Sequence, residues 1–263
     1  MNAPEASLIH PTALVDPGAR LAGDVSVGAY TVIGPHVEIG PGTTVGPHAV
    51  ITGHTRIGAG NRIWQFVSIG DVPQDKKYGG EPTLLEIGDR NAIREFCTIN
   101  CGTAQGGGVT RVGSDNWIMA YVHIAHDCVV GDRIVFANCT QLAGHVPVGD
   151  DAVLGGFTGV HQFCRVGAHS ITGVGTVVLQ DVPPYVTVSG DPAKPHGINR
   201  EGLRRRGFSA DAIAELRRAY KTLYRSGLSL EEAQRELEER SAACPELKLL
   251  VDFLASPGRG IIR

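Results

Sequence analysis

Aliphatic residues recur along this chain at every sixth position. From Ile9 the series runs Val15, Leu21, Val27, Ile33, Ile39, Val45, Ile51, Ile57, Ile63 and Ile69 without an exception. Glycine often follows, as at Gly28, Gly34, Gly40, Gly46, Gly58 and Gly70, and the residue two before is small or β-branched, as at Ala13, Ala19, Val25, Thr31 and Thr43. A helix repeats at about 3.6 residues and an ordinary strand at about 2, so neither fits. One short strand plus one corner does. Side chains alternate along a strand, so the large aliphatic and the residue two before it both point inward. The glycine is expected to supply the positive φ that a corner needs. Strand–corner units of this kind close into a triangular coil of about 18 residues with short side-by-side strands, and roughly ten coils at about 4.8 Å spacing give a prism about 48 Å long.

The phase is interrupted twice. Ile87, Ile93 and Ile99 keep it across residues 71–86, and a second break at 100–111 slips it by one. Val112, Ile118, Ile124, Val130, Phe136, Leu142, Val148, Leu154, Val160, Val166 and Val178 then resume, with Thr172 as the one polar member. Both breaks read as loops leaving the prism, and long loops are often functional. Pro183-Pro184, then Gly190, Pro192 and Pro195, end the repeat. Beyond them the pattern turns helical. Ser209 can cap a helix carrying Ile213, Leu216, Tyr220 and Leu223, with Gly227 ending it. Ser229 and Glu232 make a capping box, and Pro245 suits the start of a third helix with Leu249, Leu250 and Phe253 apolar. The organisation is therefore a mainly β prism over residues 1–190 and a small helical domain over 191–263, too small for a strong core of its own.

Composition changes this picture little. Glycine numbers 35 and aromatics are 6% of the 263 residues, which suits a repetitive backbone rather than an ordinary core. A net charge of −3 argues against nucleic acid as a partner. No apolar stretch approaches the ~20 residues of a membrane span, and MNAPEASLIH shows no signal-peptide pattern. The six cysteines form no CxxC pair and read as reduced apolar residues of a cytoplasmic protein.

Chemistry concentrates in AYVHIAHDCVVGD, residues 120–132. His126, next to Asp127, is followed by His145 after 19 residues and His161 after a further 16. Both spacings are close to one coil, so these histidines are expected to stack along one edge. A lone histidine at such a corner is more often solvated than functional. Several in register suit either a general base with anion-binding neighbours or a histidine metal site. The first loop carries Gln74, Asp75, Lys76 and Lys77, either a solvated loop or a sugar–phosphate clamp. The second contains Gln105-Gly-Gly-Gly, flexible enough for a lid. Arg204, Arg205 and Arg206 form a basic run that suits a solvated face, a phosphate or an acidic protein.

At these residues the chain resembles a known family. IAHDC at 124–128, LAGHV at 142–146, VHQFC at 160–164, QDVPPYV at 180–186 and INREGLRRRGFS at 198–209 are similar to the UDP-N-acetylglucosamine O-acyltransferases that begin lipid A synthesis, as are VPQDKKYGGEPT and GTAQGGG in the two loops. The resemblance runs from the first repeat to the C-terminal Gly-x-x-Arg. It implies a left-handed parallel β-helix, although parallel crossovers are otherwise right-handed. It also implies a homotrimer with sites between neighbouring prisms, and transfer of an (R)-3-hydroxyacyl group from acyl carrier protein to the sugar 3-hydroxyl. No cofactor or metal is implied, since the carrier thioester is a co-substrate.

The resemblance assigns His126 as general base, Asp127 as its partner and the Gly144 N–H as oxyanion donor. It assigns Asp75, Lys77, His145 and His161 to the glucosamine, with His123, Gln162 and Gln74 close by, and Asn199, Glu201, Arg205 and Arg206 to the uridine and phosphates. Ile171 and Val174 fall in the acyl groove. Two positions depart from the family pattern. Asn100 and Cys101 stand where His and Arg are common, which leaves a 3-amino sugar compatible. Val174 replaces the glycine of long-chain members, so a shorter acyl chain is expected. Two other readings use the same repeat: a hexapeptide zinc carbonic anhydrase, which has no need of INREG or a helical tail, and a purely structural solenoid. The related N-acyltransferase of the pathway normally carries an extra N-terminal uridine-binding domain, whereas here the repeat begins at residue 9.

Overall fold

A computed structural model describes residues 8–256 and 258–263. The reading of MNAPEASLIH and the start of the 1–190 unit therefore lie largely outside the described residues. Short strands, most of them two residues long, line up in three sheets of 9, 7 and 10 strands. Within the prism each strand pairs in parallel with one a full coil away, as Leu14 with Val32 and Val32 with Val50. Large aliphatics form columns down the axis: Ile33, Ile51, Ile69, Ile99, Ile124 and Leu142 are all at most 1% exposed. This is the left-handed parallel β-helix with a small helical C-terminal part that the repeat and its resemblance imply.

The two excursions are visible as register. Ser68 pairs with Thr98, an offset of 30, and Thr98 with His123, an offset of 25, where an uninterrupted coil such as Ser26 to Thr44 takes 18. The first offset is a multiple of six and keeps the phase; the second exceeds one by a single residue and shifts it. Both loops are shorter than the interrupted phase implies. Strand Leu84–Ile87 rejoins the prism before residue 86, and Val109–Val112 before residue 111. Thr172 stays buried because its hydroxyl bonds Thr158 Oγ1 at 2.7 Å and accepts from the Gly155 N–H at 2.8 Å.

The corners correct one expectation. The left-handed seats are filled mostly by non-glycine residues, among them Tyr30 (φ 59), His48 (φ 55), Phe66 (φ 60) and His145 (φ 61). Of the glycines after the aliphatics, Gly70 alone has a positive φ (81), and Gly28, Gly40, Gly46 and Gly58 serve close stacking instead. A Cβ on Gly28 would lie 2.5 Å from Pro47 N, and one on Gly40 2.8 Å from Gly58 C. Buried asparagines add a ladder that hydrophobic periodicity does not reveal. Asn61 Oδ1 accepts from the Asn91 N–H at 2.9 Å, and Asn91 Oδ1 from the Asn116 N–H at 2.9 Å.

Strand Val186–Ser189 is the last parallel member of its sheet, and Lys194–Ile198 turns back antiparallel along it. The segment after residue 190 is thus not wholly helical. Helix α1 spans Arg200–Arg205, α2 Ala210–Arg225, α3 Leu230–Ser241 and α4 Leu247–Ala255. Ser209 caps α2 through the Ala212 N–H, and the Ser229–Glu232 box is formed. Glu246, not Pro245, occupies the cap of α4. The later part of the tail is also fastened to the prism. Tyr185 Oη donates to Glu246 O at 2.7 Å, and Ile261 bridges Asp181.

Candidate active site

Every third corner of the prism lies on one edge. Along one such edge the turns are 126–127, 144–145 and 162–163. The vertical alignment is therefore His126 over Gly144 over Gln162, and Asp127 over His145 over Phe163, as the bonds from His145 N to His126 O (3.0 Å) and Phe163 N to Gly144 O (3.3 Å) record. The expected three-histidine stack is not formed. His145 sits edge-on to His126 with ring centroids 5.1 Å apart, and stacks on Phe163 at 4.5 Å. His161 is exposed, with Nδ1 3.1 Å from Gln162 O. Spacings of 19 and 16 put His126 and His145 on different residues of the turn and His161 just before it, since only 18 preserves the position.

The Asp127 side chain is 1% exposed. Its Oδ2 accepts from His126 Nδ1 at 2.8 Å and from the Thr103 hydroxyl at 2.6 Å, and its Oδ1 from the Thr103 N–H at 2.9 Å. A carboxylate only accepts, so Nδ1 of His126 carries the hydrogen and Nε2 keeps its lone pair when the ring is neutral. That is the tautomer a general base needs. The imidazole lies against Gly144: a Cβ there would come within 2.4 Å of His126 Cε1. Among the described residues the Gly144 N–H has no hydrogen-bond partner in the chain. His123, on the strand leading to this corner, bonds Thr98 Oγ1 at 2.7 Å. Burial, and then the neighbouring His126, hold its imidazole below the ordinary histidine range.

One ligand atom each from His126, Asp127 and His145 falls within 4.8 Å of the others, a possible cation-holding group. However, His126 Nδ1 and Asp127 Oδ2 are 2.8 Å apart. Two ligands of one tetrahedral zinc stand about 3.3 Å apart, so this pair has hydrogen-bond spacing.

The other sequence candidates lie elsewhere in the chain. Gln74 and Lys77 are exposed on the first loop, where Asp75 Oδ1 accepts from the Lys77 N–H at 3.0 Å. Asn199 is 7% exposed and spent on structure: it caps α1 through the Gly202 N–H at 3.1 Å and donates to His169 O at 2.9 Å. Glu201 pairs with Arg204 at 3.0 Å. Arg206 bonds Asp151 Oδ1 at 2.8 Å, and Asp151 also takes Arg133 at 3.1 Å. Burial alone would raise the Asp151 carboxyl, but Arg133 and Arg206 hold it below the ordinary range. Asp151 and His169 are turn residues of a second edge. Arg205 is exposed. Among the described residues no hydrogen bond, ion pair or ring contact joins these groups to His126. Ile171 is half-buried and Val174 is 78% exposed. At the departures, Asn100 donates to Val72 O at 3.0 Å and Cys101 to Gly70 O at 3.2 Å, tying together the roots of the two loops. Burial pushes the Cys101 thiol up to about 11.

Sequence reading missed Thr103, Thr110 and Asp151. Thr110 Oγ1 accepts from the Asp127 N–H at 2.8 Å. Nor is the second loop a free lid. Gly106 packs on the Asp127 carboxylate, and the Gly108 N–H bonds Thr103 O at 2.8 Å.

Hexapeptide coils, a histidine–carboxylate pair in a corner and a helical tail define a hexapeptide-repeat acyltransferase. The bacterial transferase hexapeptide model matches residues 6–41, 36–71 and 110–144, and the model of UDP-N-acetylglucosamine O-acyltransferase domain 2 matches 181–262. The acyl-[acyl-carrier-protein]–UDP-N-acetylglucosamine O-acyltransferase of Thiobacillus denitrificans is 68% identical over 97% of this chain and 99% of its own length. That of Herminiimonas arsenicoxydans is 61% identical over 98% and 100%. The solved UDP-N-acetylglucosamine O-acyltransferase of Moraxella catarrhalis superposes with a TM-score of 0.96 at 48% identity, over 97% of this chain and 100% of that one. The chain belongs to the UDP-N-acetylglucosamine O-acyltransferase family.

Proposed function

We propose that this enzyme transfers an (R)-3-hydroxyacyl group from acyl carrier protein to the 3-hydroxyl of UDP-N-acetylglucosamine, the first step of lipid A synthesis, with His126 as general base. The observation that carries the reading is the His126–Asp127 pair seated on Gly144. Nε2 of His126 takes the proton as the sugar oxygen attacks the thioester carbonyl. Asp127 balances the imidazolium that forms. The unpartnered Gly144 N–H receives the oxyanion, a donor worth about 3 kcal/mol. Collapse expels the carrier thiol, which regains the proton.

His126 and the Arg206–Asp151 pair belong to different edges of one prism. A homotrimer, in which an edge of one prism faces another edge of its neighbour, lets both sets serve one substrate. We place glucosamine at Asp75, Lys77, His145 and His161, with Gln74, His123 and Gln162 beside it, and the nucleotide at Glu201, Arg205 and Arg206. Asn199 serves that end through the start of α1. A groove of about 620 Å³ lined by Arg200, Arg217, Lys221 and Arg225 gives the acidic carrier protein a basic surface. The six cysteines are free and suit a reducing cytoplasm, and among the described residues no helix is long and apolar enough to cross a membrane. Val174 at a corner shortens the acyl groove.

The test is a transfer assay with UDP-N-acetylglucosamine and carrier loaded with 3-hydroxyacyl chains of graded length. His126→Ala is expected to lower kcat by about 10²–10⁴, and the shorter donors to turn over faster. An undiminished His126→Ala rate overturns the base assignment, and equal or better use of the longest donors overturns the role of Val174.

A further inference from the structure

Among the described residues, Asp127 is the one carboxylate that accepts from both the hydroxyl and the N–H of a threonine. Thr103 is 1% exposed and opens the short 3-10 turn Ala104–Gly106 of the second loop. Both of its donors, the hydroxyl and the N–H, end on the Asp127 carboxylate at 2.6 and 2.9 Å. The hydroxyl meets Oδ2, the same oxygen that receives His126 Nδ1 at 2.8 Å. The Thr103 hydroxyl oxygen in turn accepts from the Gly106 N–H at 3.1 Å, which turns the hydroxyl hydrogen toward the carboxylate. Gly106 closes the other side, since a Cβ there would lie 2.1 Å from Asp127 Cγ.

Asp127 therefore cannot rotate freely. Two donors fix its plane, and the glycine wall removes the space for an alternative rotamer. A carboxylate held in this way presents one defined lone pair to Nδ1 and fixes both the tautomer and the ring direction of the histidine. The second loop, which on sequence alone is a Gly-rich lid, is an anchor. We infer that Thr103 is a positioning residue for the transfer reaction, acting through Asp127 to aim Nε2 of His126. The inference rests on the proposed role of His126 and deepens it.

Three substitutions at Thr103 test it in the full-length protein, with His126→Ala as control. Thr103→Val keeps the shape and the backbone donor and removes only the hydroxyl. It is expected to lower kcat by roughly tenfold or more while KM for UDP-N-acetylglucosamine stays within about twofold, because general-base efficiency depends on the base's geometry. Thr103→Ser, which restores the hydroxyl, is expected to recover most of that loss. Thr103→Ala gives the same comparison if the second methyl of valine disturbs folding, which a melting curve reports. A wild-type kcat in a folded Val or Ala variant overturns the inference. So does a loss that serine does not repair, or one that falls on KM alone. If His126→Ala is itself fully active, the base assignment fails instead, and the two failures are distinct.

Discussion

Two edges of the prism use the same backbone corner for opposite ends. On one, Tyr30, His48, Phe66, Phe96 and Tyr121 occupy successive left-handed seats and stack at 4.7–5.3 Å. Tyr30, Phe66 and Tyr121 remain about half exposed (60, 48 and 53%). On the other, the equivalent seats hold Asp127, His145 and Phe163. There the Asp127 side chain is 1% exposed and its carboxylate accepts three hydrogen bonds. Stacking needs only rings at the coil spacing. Chemistry needs a buried acceptor, donors brought from a loop, and a glycine that leaves room for an imidazole. The left-handed corner is thus a neutral socket, and what distinguishes the edges is the insertion of residues 101–108 beside one of them.

The sharpest way to break the contrast is at Gly144. Gly144→Ala places a methyl against the His126 ring and is expected to cut kcat by about 10² or more with little change in melting, since the group lost is the positioned base. A near-normal rate would place the reacting atoms elsewhere. A smaller effect of opposite kind is expected at Tyr30, four stacking steps away from Tyr121. Tyr30→Ala should lower stability by about 0.5–1.5 kcal/mol, the worth of one aromatic pair, and leave kcat within about twofold. Denaturant unfolding and the transfer assay together separate the two edges. The smallest effect is on pH. Burial holds His123 and His169 below the ordinary histidine range. The unfolded chain then binds their protons first as pH falls, so stability is complete above about 6.5 and declines below it until the folded-state values are passed. Melting at pH 5.5 should fall below that at 7.5, and His169→Phe should flatten the slope; an unchanged slope would count against burial as the cause.

Much of this was legible in residue order. A period of six implies strands and corners, and the lengths of the two breaks predict whether phase is kept or shifted. The corner residues were harder. His126, His145 and His161 stand near one coil apart, but only an interval of 18 keeps the same seat in the turn, so His145 aligns with Asp127 and His161 with neither. Glycine was misread because a small residue serves close stacking and positive φ alike. Thr103 could not be read at all. Its partner lies 24 residues on, across an insertion whose length is no multiple of the coil. Asn199 and Arg206 carry the family pattern, yet one is a helix cap and the other an ion-pair partner within this chain.

A parallel solenoid has no internal reason to stop growing: the last coil offers the same row of unpaired backbone groups that each earlier coil offered its successor. Here the reversal at Lys194–Ile198 ends the series. Pro195, set opposite Val188, has no N–H to offer an incoming strand, and α2 packs over the reversed segment. The hairpin is therefore a length terminator for that sheet, where a further coil or a second prism could otherwise add a strand.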